Sequence, residues 1–182
     1  MTRLTVSIAA VLLVACSHRS QIDQGPLAFP PNTVTSNGLS ARVSQPVDFS
    51  EIHFGLQGIK YTLQKVILVH PTEGLQVVAV GLVPPGTSAV NEKYPPEVPL
   101  AEVPTMAQGP MQVVIAVQAD HPGTYDAEGV VFFYTVGGRS YTAYYPQGVR
   151  VCVYAFPCDY SSLISRLQQM DPQKVLRELG SD

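Results

Sequence analysis

The sequence lacks tryptophan entirely, has only three cysteines and is poor in charge, with 14% charged residues. Lys and Arg number 11 against 14 Asp and Glu, and no basic cluster occurs. This composition excludes the basic footprint of a nucleic-acid-binding protein and an electrostatic hold on an anionic membrane surface. The apolar run near the N-terminus is also well short of the ~20 residues that a membrane-spanning helix needs.

Signatures of catalysis and metal binding are missing as well. The sequence contains no G-x-S-x-G elbow, no Met-rich or His-rich tract and no late Cys-His-Met arrangement of the cupredoxin kind. The four histidines are predicted to be solvated spacer or turn residues: His18, His53, His70 and His121. Metal binding would require the last three to converge with Met106, Met111 or a carboxylate such as Glu51 or Asp120. We therefore predict no catalytic residue, no metal and no cofactor, although carboxylate pairs from distant positions leave no motif.

The N-terminus carries the most specific pattern in the chain. Arg3 precedes an apolar run from Val6 to Ala15, and Leu13-Val14-Ala15-Cys16 closes it with small residues. This segment resembles the lipobox of bacterial lipoproteins. The resemblance implies cleavage before Cys16, a diacylglycerol thioether on its sulfur and usually a third acyl chain on its amino group. Two or more chains give stable membrane anchoring, because each buried methylene contributes about 0.8 kcal/mol.

The same resemblance accounts for the odd cysteine. If Cys16 is acylated, Cys152 and Cys158 remain as a pair in an oxidising compartment, where disulfides persist. Closing this short loop would contribute about 2 kcal/mol. A metal site is the alternative for the pair, but two thiolates without a nearby His or third Cys fall short of a closed zinc site.

The rest of the chain predicts one domain on a tether. Residues 1–15 form the signal peptide, residues 16–37 the lipidated Cys and a flexible spacer, residues 38–160 a β-sandwich and residues 161–182 a helical tail. Short runs rich in Val, Ile, Tyr and Phe alternate with Gly, Pro and Asp turns, which is typical of an all-β domain. The predicted strands are Leu39–Val43, Val47–Phe54, Tyr61–Val69, Leu75–Val83, Met111–Ala119, Val130–Val136, Arg139–Tyr145 and Val149–Tyr154.

Two local patterns fit this fold: the first predicts an antiparallel hairpin, and the second favours an immunoglobulin-like antiparallel sandwich. Gly137-Gly138 suits a two-residue hairpin turn that requires positive φ. Pro122-Gly123-Thr124-Tyr125 resembles the entry to a late strand in such sandwiches, where the Tyr hydroxyl bonds back to nearby backbone. The absence of Trp and the closeness of Cys152 to Cys158 disfavour a true antibody-type domain. The architecture is shared by unrelated functions and implies none.

The tail is predicted to form two helical segments. Ser161 or Ser162 is the expected N-cap of the first, whose apolar residues recur on one face, and Asp171-Pro172 is expected to start the second. Both faces of the late strands are apolar or aromatic, so the outer face requires a cover. The helical tail is the simplest candidate to cover this outer face, and a partner protein is the alternative.

The segment from Pro84 to Pro110 holds seven prolines, which favour extended polyproline geometry over a central strand. It is either a passive crossover or a stiff, mildly acidic platform for a protein partner. As a platform it would present Tyr94 and Met106 as apolar anchors beside Glu97 and Glu102.

The sequence thus predicts a lipid-anchored bacterial envelope protein that acts by binding or assembly and has a protein partner. Ser17 follows the lipidated Cys where the inner-membrane retention signal of many lipoproteins would place Asp, which favours the outer membrane in a cell with two membranes. In a one-membrane cell the domain would lie outside the cytoplasmic membrane. An exported copper-handling protein and an envelope hydrolase stay open as alternatives.

Overall fold

A computed structural model of the chain describes residues 22–28, 34–83, 105–154 and 157–179, with only the backbone described at positions 37, 49–53, 105 and 106. The predicted signal peptide, the lipidation site Cys16 and three of the predicted partner-binding residues, Tyr94, Glu97 and Glu102, lie outside these ranges. The described residues form a mainly β fold with two short helices.

The strands form three sheets. In the first, β1 (Thr35–Ala41) pairs with β10 (Gln147–Val153), which pairs with β7 (Gly123–Ala127). In the second, β6 (Met111–Ala119) lies between β2 (Val47–Phe54) and β4 (Leu75–Val83). The third has the order β5 (Thr105–Gln108), β3 (Lys60–Leu68), β8 (Val130–Val136) and β9 (Arg139–Tyr145). All pairings are antiparallel except that of β1 with β10, which is parallel.

One core joins the three sheets, as expected of a β-sandwich. Its centre is aromatic: the Phe54 ring stacks on Phe132 at 4.8 Å between centroids and meets the edges of Tyr61 and Tyr134 at 5.3 Å. Around these rings pack inward residues of β4, β6, β7 and β10, most of them Val, Ile, Leu or Ala. The period-two alternation of the strands therefore places their apolar faces together.

The structure departs from the predicted strands in three places. The first strand begins at Thr35, inside the stretch assigned to the flexible spacer. The predicted crossover from Pro84 to Pro110 ends in an edge strand, β5, which pairs with β3. The stretch around Tyr125 is a strand of its own, β7, which pairs with β10. These three segments contain few Val, Ile and aromatic residues, so their own sequence does not predict a strand. Hydrogen bonding to a neighbouring strand places them in the sheet instead.

Both predicted local patterns have the expected geometry. Gly137 and Gly138 have φ of 56° and 81° and connect β8 to β9 in a two-residue hairpin. The Tyr125 hydroxyl donates to the carbonyl oxygen of His121 at 3.0 Å, four residues upstream. Tyr125 is therefore a structural residue that fixes the turn before β7.

Two helices follow the sandwich, α1 (Ser161–Gln168) and α2 (Pro172–Leu179). The predicted cap of α1 is wrong: Tyr160 occupies the N-cap position, and the Asp159 carboxylate accepts the backbone N–H of Ser161 at 2.9 Å. Asp159 can accept this bond because it lies one residue before the N-cap position, from which its short acidic side chain reaches the first turn. The predicted start of α2 is confirmed, with Asp171 accepting the N–H of Gln173 at 2.9 Å and Pro172 in the first turn. Neither helix of the described part is long and apolar enough to cross a membrane.

A disulfide joins the end of the sandwich to the helical tail. Cys152 on β10 and Cys158, three residues before α1, are bridged with a Cα–Cα distance of 5.7 Å. Leu163 and Leu167 of α1 then pack against Gly148 of β10, where a Cβ would lie 2.7 Å from Leu167. The bridge thus fixes the corner from which the tail departs.

Candidate functional site

The outer face of the β3–β8–β9 sheet changes character along its length. At one end Val131 and Tyr144 are covered by Val175 and Leu176 of α2, which form a second apolar cluster. This confirms the helical tail as the cover of that face. At the other end the outward residues of the same two strands are Phe133 and the hydroxyl-bearing Thr135, Ser140 and Thr142.

A cleft of about 510 Å³ lies over this second half. Its floor is formed by β8 and β9, one side by Gln64 on β3, and the other by Ile22 and Asp23. Lys65 lies next to Gln64 and places its Nζ 5.7 Å from the centre of the Phe133 ring. The lining thus combines three aromatic side chains with uncharged hydrogen-bonding groups, a composition that fits a ligand held by apolar contact and a few directional hydrogen bonds.

The N-terminal wall of the cleft belongs to residues 22–28, which we call the strap. Gln24 accepts the backbone N–H of Tyr144 through its Oε1 at 3.0 Å, at the outer edge of β9. Because backbone groups alternate in direction along a strand, the N–H groups of Thr142 and Ser140 point to that same edge. The strap therefore occupies one end of this edge strand, and the cleft lies along the remainder.

The strap corrects the prediction of a flexible spacer through residue 37. Leu27 is 4% exposed and belongs to the core, and the Tyr134 hydroxyl binds the backbone on either side of Gly25. Polar composition suggested a solvated linker, but a single apolar side chain with satisfied backbone groups is enough to seat the segment.

A second polar cluster ties the tail to the sandwich. Arg150 of β10 and Asp126 of β7 are cross-strand partners joined by two hydrogen bonds of 2.7 Å. Arg166 of α1 contacts Asp126 and, at 3.4 Å, Glu128. Burial alone would raise the pKa of Asp126, but the hydrogen bonds and charge of Arg150, then those of Arg166, outweigh it and lower that pKa. The cluster is a structural network of ion pairs.

The two histidines whose side chains are described, His70 and His121, do not line the cleft. His70 has φ of 43° and lies with Nδ1 3.0 Å from Glu128 and Nε2 3.4 Å from Glu178, so it is a turn residue held between two carboxylates. His121 is exposed, and its backbone carbonyl oxygen accepts the hydrogen bond from the Tyr125 hydroxyl. The side chain of His53 and all of His18 lie outside the described residues. Among the side chains that are described, no three of His, Cys, Asp or Glu converge as a metal site.

Of the predicted partner-binding residues, the structure places only the backbone of Met106, which pairs with Thr62 of β3 in an edge strand. The cleft residues were missed by the sequence prediction. A signal for them was present, since the outward positions of β8 change from Val131 and Phe133 to Thr135 while the sheet continues. Such a loss of apolar residues marks the point at which a covering element ends.

No family model and no curated protein matches the sequence. Among solved structures the chain is similar to the VesB protease of Vibrio cholerae, with 15% identity and a TM-score of 0.35 over 66% of this chain. The similarity spans 31% of the length of that protease. A likeness this distant carries no argument about function.

Proposed function

We propose that this protein is a lipid-anchored bacterial envelope protein that acts as a binding or assembly module and not as a catalyst. The observation that carries the anchor is the Leu13-Val14-Ala15-Cys16 motif after a short apolar run. The disulfide supports it, because pairing Cys152 with Cys158 leaves Cys16 as the one cysteine available for acylation. Intact mass of the protein purified from membranes is the test. A mature chain that begins at Cys16 and carries acyl mass supports the anchor, and a chain that still bears Met1 overturns it.

The sandwich itself we propose to be of the immunoglobulin-like type. The corner bond of Tyr125 and the joint core of the three sheets support this assignment. The architecture is compatible with binding, but the binding surface has to be argued from the site.

The proposed binding surface is the cleft together with the part of the β9 edge that pairs with no other strand among the described residues. The proposed occupant is an extended segment of an envelope protein. An edge strand offers backbone N–H and C=O groups to such a segment, and the cleft offers hydroxyls for its side chains. Gln24 already satisfies the Tyr144 N–H in the way that a neighbouring strand would. The edge beyond it, at Thr142 and Ser140, is the natural continuation.

Site-specific photocrosslinking tests this surface. A photoreactive amino acid at Thr142 is expected to capture one constant protein in whole cells. The matched control is the same group at Leu56, a 52% exposed residue in the turn between β2 and β3. Equal capture at both positions, or none at Thr142, would reject the cleft. Capture that disappears when residues 84–104 are replaced by a Gly/Ser linker would move the partner surface to the proline-rich segment.

A further inference from the structure

The strap is fastened to the folded domain at its first residue. The backbone N–H of Ile22 donates to Gln173 Oε1 at 2.8 Å, and Gln173 Nε2 donates to the Ile22 carbonyl at 3.3 Å. One side chain of α2 thus binds both polar groups of one strap residue, as a paired strand would. Ile22 also packs against the apolar cluster beneath α2. The contact therefore combines directional hydrogen bonds with apolar packing that is partly shielded from water.

The middle of the strap is fastened by Tyr134. Its hydroxyl donates to the Gln24 carbonyl and accepts the N–H of Leu27, the latter at 3.2 Å. Burial, partly opposed by the bond from Leu27, raises the pKa of Tyr134 to about 12, so the hydroxyl keeps its proton at neutral pH. The strap backbone thus has a permanent donor and acceptor beneath it.

Gly25 allows this close approach. It has φ of +73°, and a Cβ placed on it would lie 2.4 Å from Cδ1 of Tyr141 and 2.5 Å from the Tyr134 hydroxyl. Only glycine satisfies both the backbone conformation and the contact. A side chain at this position would force the strap off the domain.

We propose that the docked strap holds the domain against the membrane surface, with the cleft on the side that faces the bilayer. The proposal rests on the lipid anchor at Cys16 proposed above. Six steps of chain separate Cys16 from Ile22, and six extended residues reach about 20 Å. A spacer that ran free to residue 37 would reach about 70 Å over its 21 steps. Docking therefore removes most of the reach that the sequence alone would allow.

The direction follows from the same covalent geometry. The acyl chains would lie in the bilayer, and at most six residue steps separate them from Ile22, which is bound to the domain through Gln173. Ile22 and Asp23 form a wall of the cleft, so the cleft lies on the part of the surface nearest to the attachment point. Any occupant of the cleft must then lie close to the headgroups. The partner chemistry that fits is a membrane-proximal protein segment.

Fluorescence energy transfer on vesicles measures the distance between the domain and the bilayer surface. The acylated full-length protein is reconstituted into vesicles of phosphatidylethanolamine and phosphatidylglycerol with an acceptor dye on a fraction of the headgroups. The donor dye is attached at position 174 in place of the Lys174 side chain, which is 71% exposed and lies next to Gln173 in the sequence. We expect strong transfer for the parent protein and a several-fold weaker transfer for Gly25→Ala. The control is Gly58→Ala, since Gly58 has φ of +79° but a Cβ there meets nothing within 4 Å.

A second pair of variants guards against misfolding. Gln173→Ala removes the Ile22 contacts without a clash, and Gln168→Ala changes an exposed glutamine of α1. Trypsin cleavage at Arg19, between the anchor and the strap, is expected to shed the domain several-fold faster for Gln173→Ala than for Gln168→Ala. Equal transfer and equal shedding in all variants of an acylated, vesicle-bound protein would overturn the proposal. A protein that lacks acyl mass and does not bind vesicles would instead overturn the anchor.

Discussion

Arg150 and Asp126 face each other across β10 and β7 and are joined by two parallel hydrogen bonds of 2.7 Å, with both side chains 15% exposed. Arg150 also donates to the carbonyl of Asp159 and, at 3.2 Å, to Ser162. One guanidinium therefore links two strands to the turn that starts α1. Removing the guanidinium leaves a largely buried carboxylate with fewer partners, which is more costly than the loss of an exposed pair.

We expect Arg150→Ala to lower the free energy of unfolding by about 2 kcal/mol, the range for a hydrogen-bonded charge. Arg139→Ala, in the exposed β8–β9 hairpin, should change it by less than about 0.5 kcal/mol. Urea denaturation of the two variants decides. Equal stability losses would show that the network adds nothing beyond a surface charge.

The disulfide is predicted to contribute about 2 kcal/mol, because its loop is short, with a sequence separation of 6 residues. The double variant Cys152→Ser, Cys158→Ser should melt at a lower temperature than the parent and should be insensitive to reductant. Reduction of the parent should lower its melting temperature to that of the variant. Thermal unfolding with and without reductant tests both, and a parent that is unaffected by complete reduction contradicts the prediction.

Leu176 of α2 is 1% exposed and covers Val131 and Tyr144. Leu176→Ala should cost about 2–4 kcal/mol through lost burial and the cavity left behind. Lys174→Ala lies two residues away on the exposed side and is the matched control. If chemical denaturation finds the two variants alike, α2 is not an integral cover of the sheet.

Alkaline pH should weaken the fold through buried tyrosines. Burial raises the pKa of Tyr61 to about 12, and burial above all raises that of Tyr134 to about 12, whereas an unfolded tyrosine has a pKa of about 10. The folded state therefore binds more protons than the unfolded state between these values. The stabilising contribution is complete below pH ~10 and is lost as the pH rises through about 12.

Tyr134→Phe should flatten this loss, since it removes one of the shifted groups, and should also loosen the strap. Tyr61→Phe is the control in the same core, because the Tyr61 hydroxyl bonds Phe54 at 3.1 Å and not the strap. Both variants should lose less stability than the parent between pH 9 and 12. Only Tyr134→Phe should speed hydrogen exchange of the Leu27 amide. A uniform effect on that amide would contradict the assigned role of Tyr134.

Long strands could be predicted from the sequence because they are rich in β-branched and aromatic residues and are bounded by turn residues. Met111–Ala119 and Val130–Val136 match the structure residue for residue for this reason. The four residues of β5 and the Gly- and Asp-containing β7 could not, since partners distant in sequence define them. The parallel β1–β10 pair joins the two ends of the domain and leaves no local pattern either.

The candidate site was less predictable than the fold. The cover by α2 followed from apolar residues on both faces of β8, so it could be predicted. The docking of the strap depends on a hydroxyl of Tyr134 that lies 110 positions from Gln24. Gly25-Pro26 predicts a turn but does not reveal what lies beneath it. Without that contact, the N-terminal wall of the cleft could not be inferred.

The parallel pairing of β1 with β10 has a mechanical consequence. Tension applied through the N-terminal side enters β1 at Thr35, while β10 leaves at its opposite end toward α1, so the two strands are loaded in shear. In that geometry the bonds between the seven aligned residue pairs from Thr35 to Ala41 share the force and do not open one after another. The strap is pulled before β1 and yields first. Under such tension the strap would detach and lengthen the chain that precedes the domain, while the β-sandwich stayed folded.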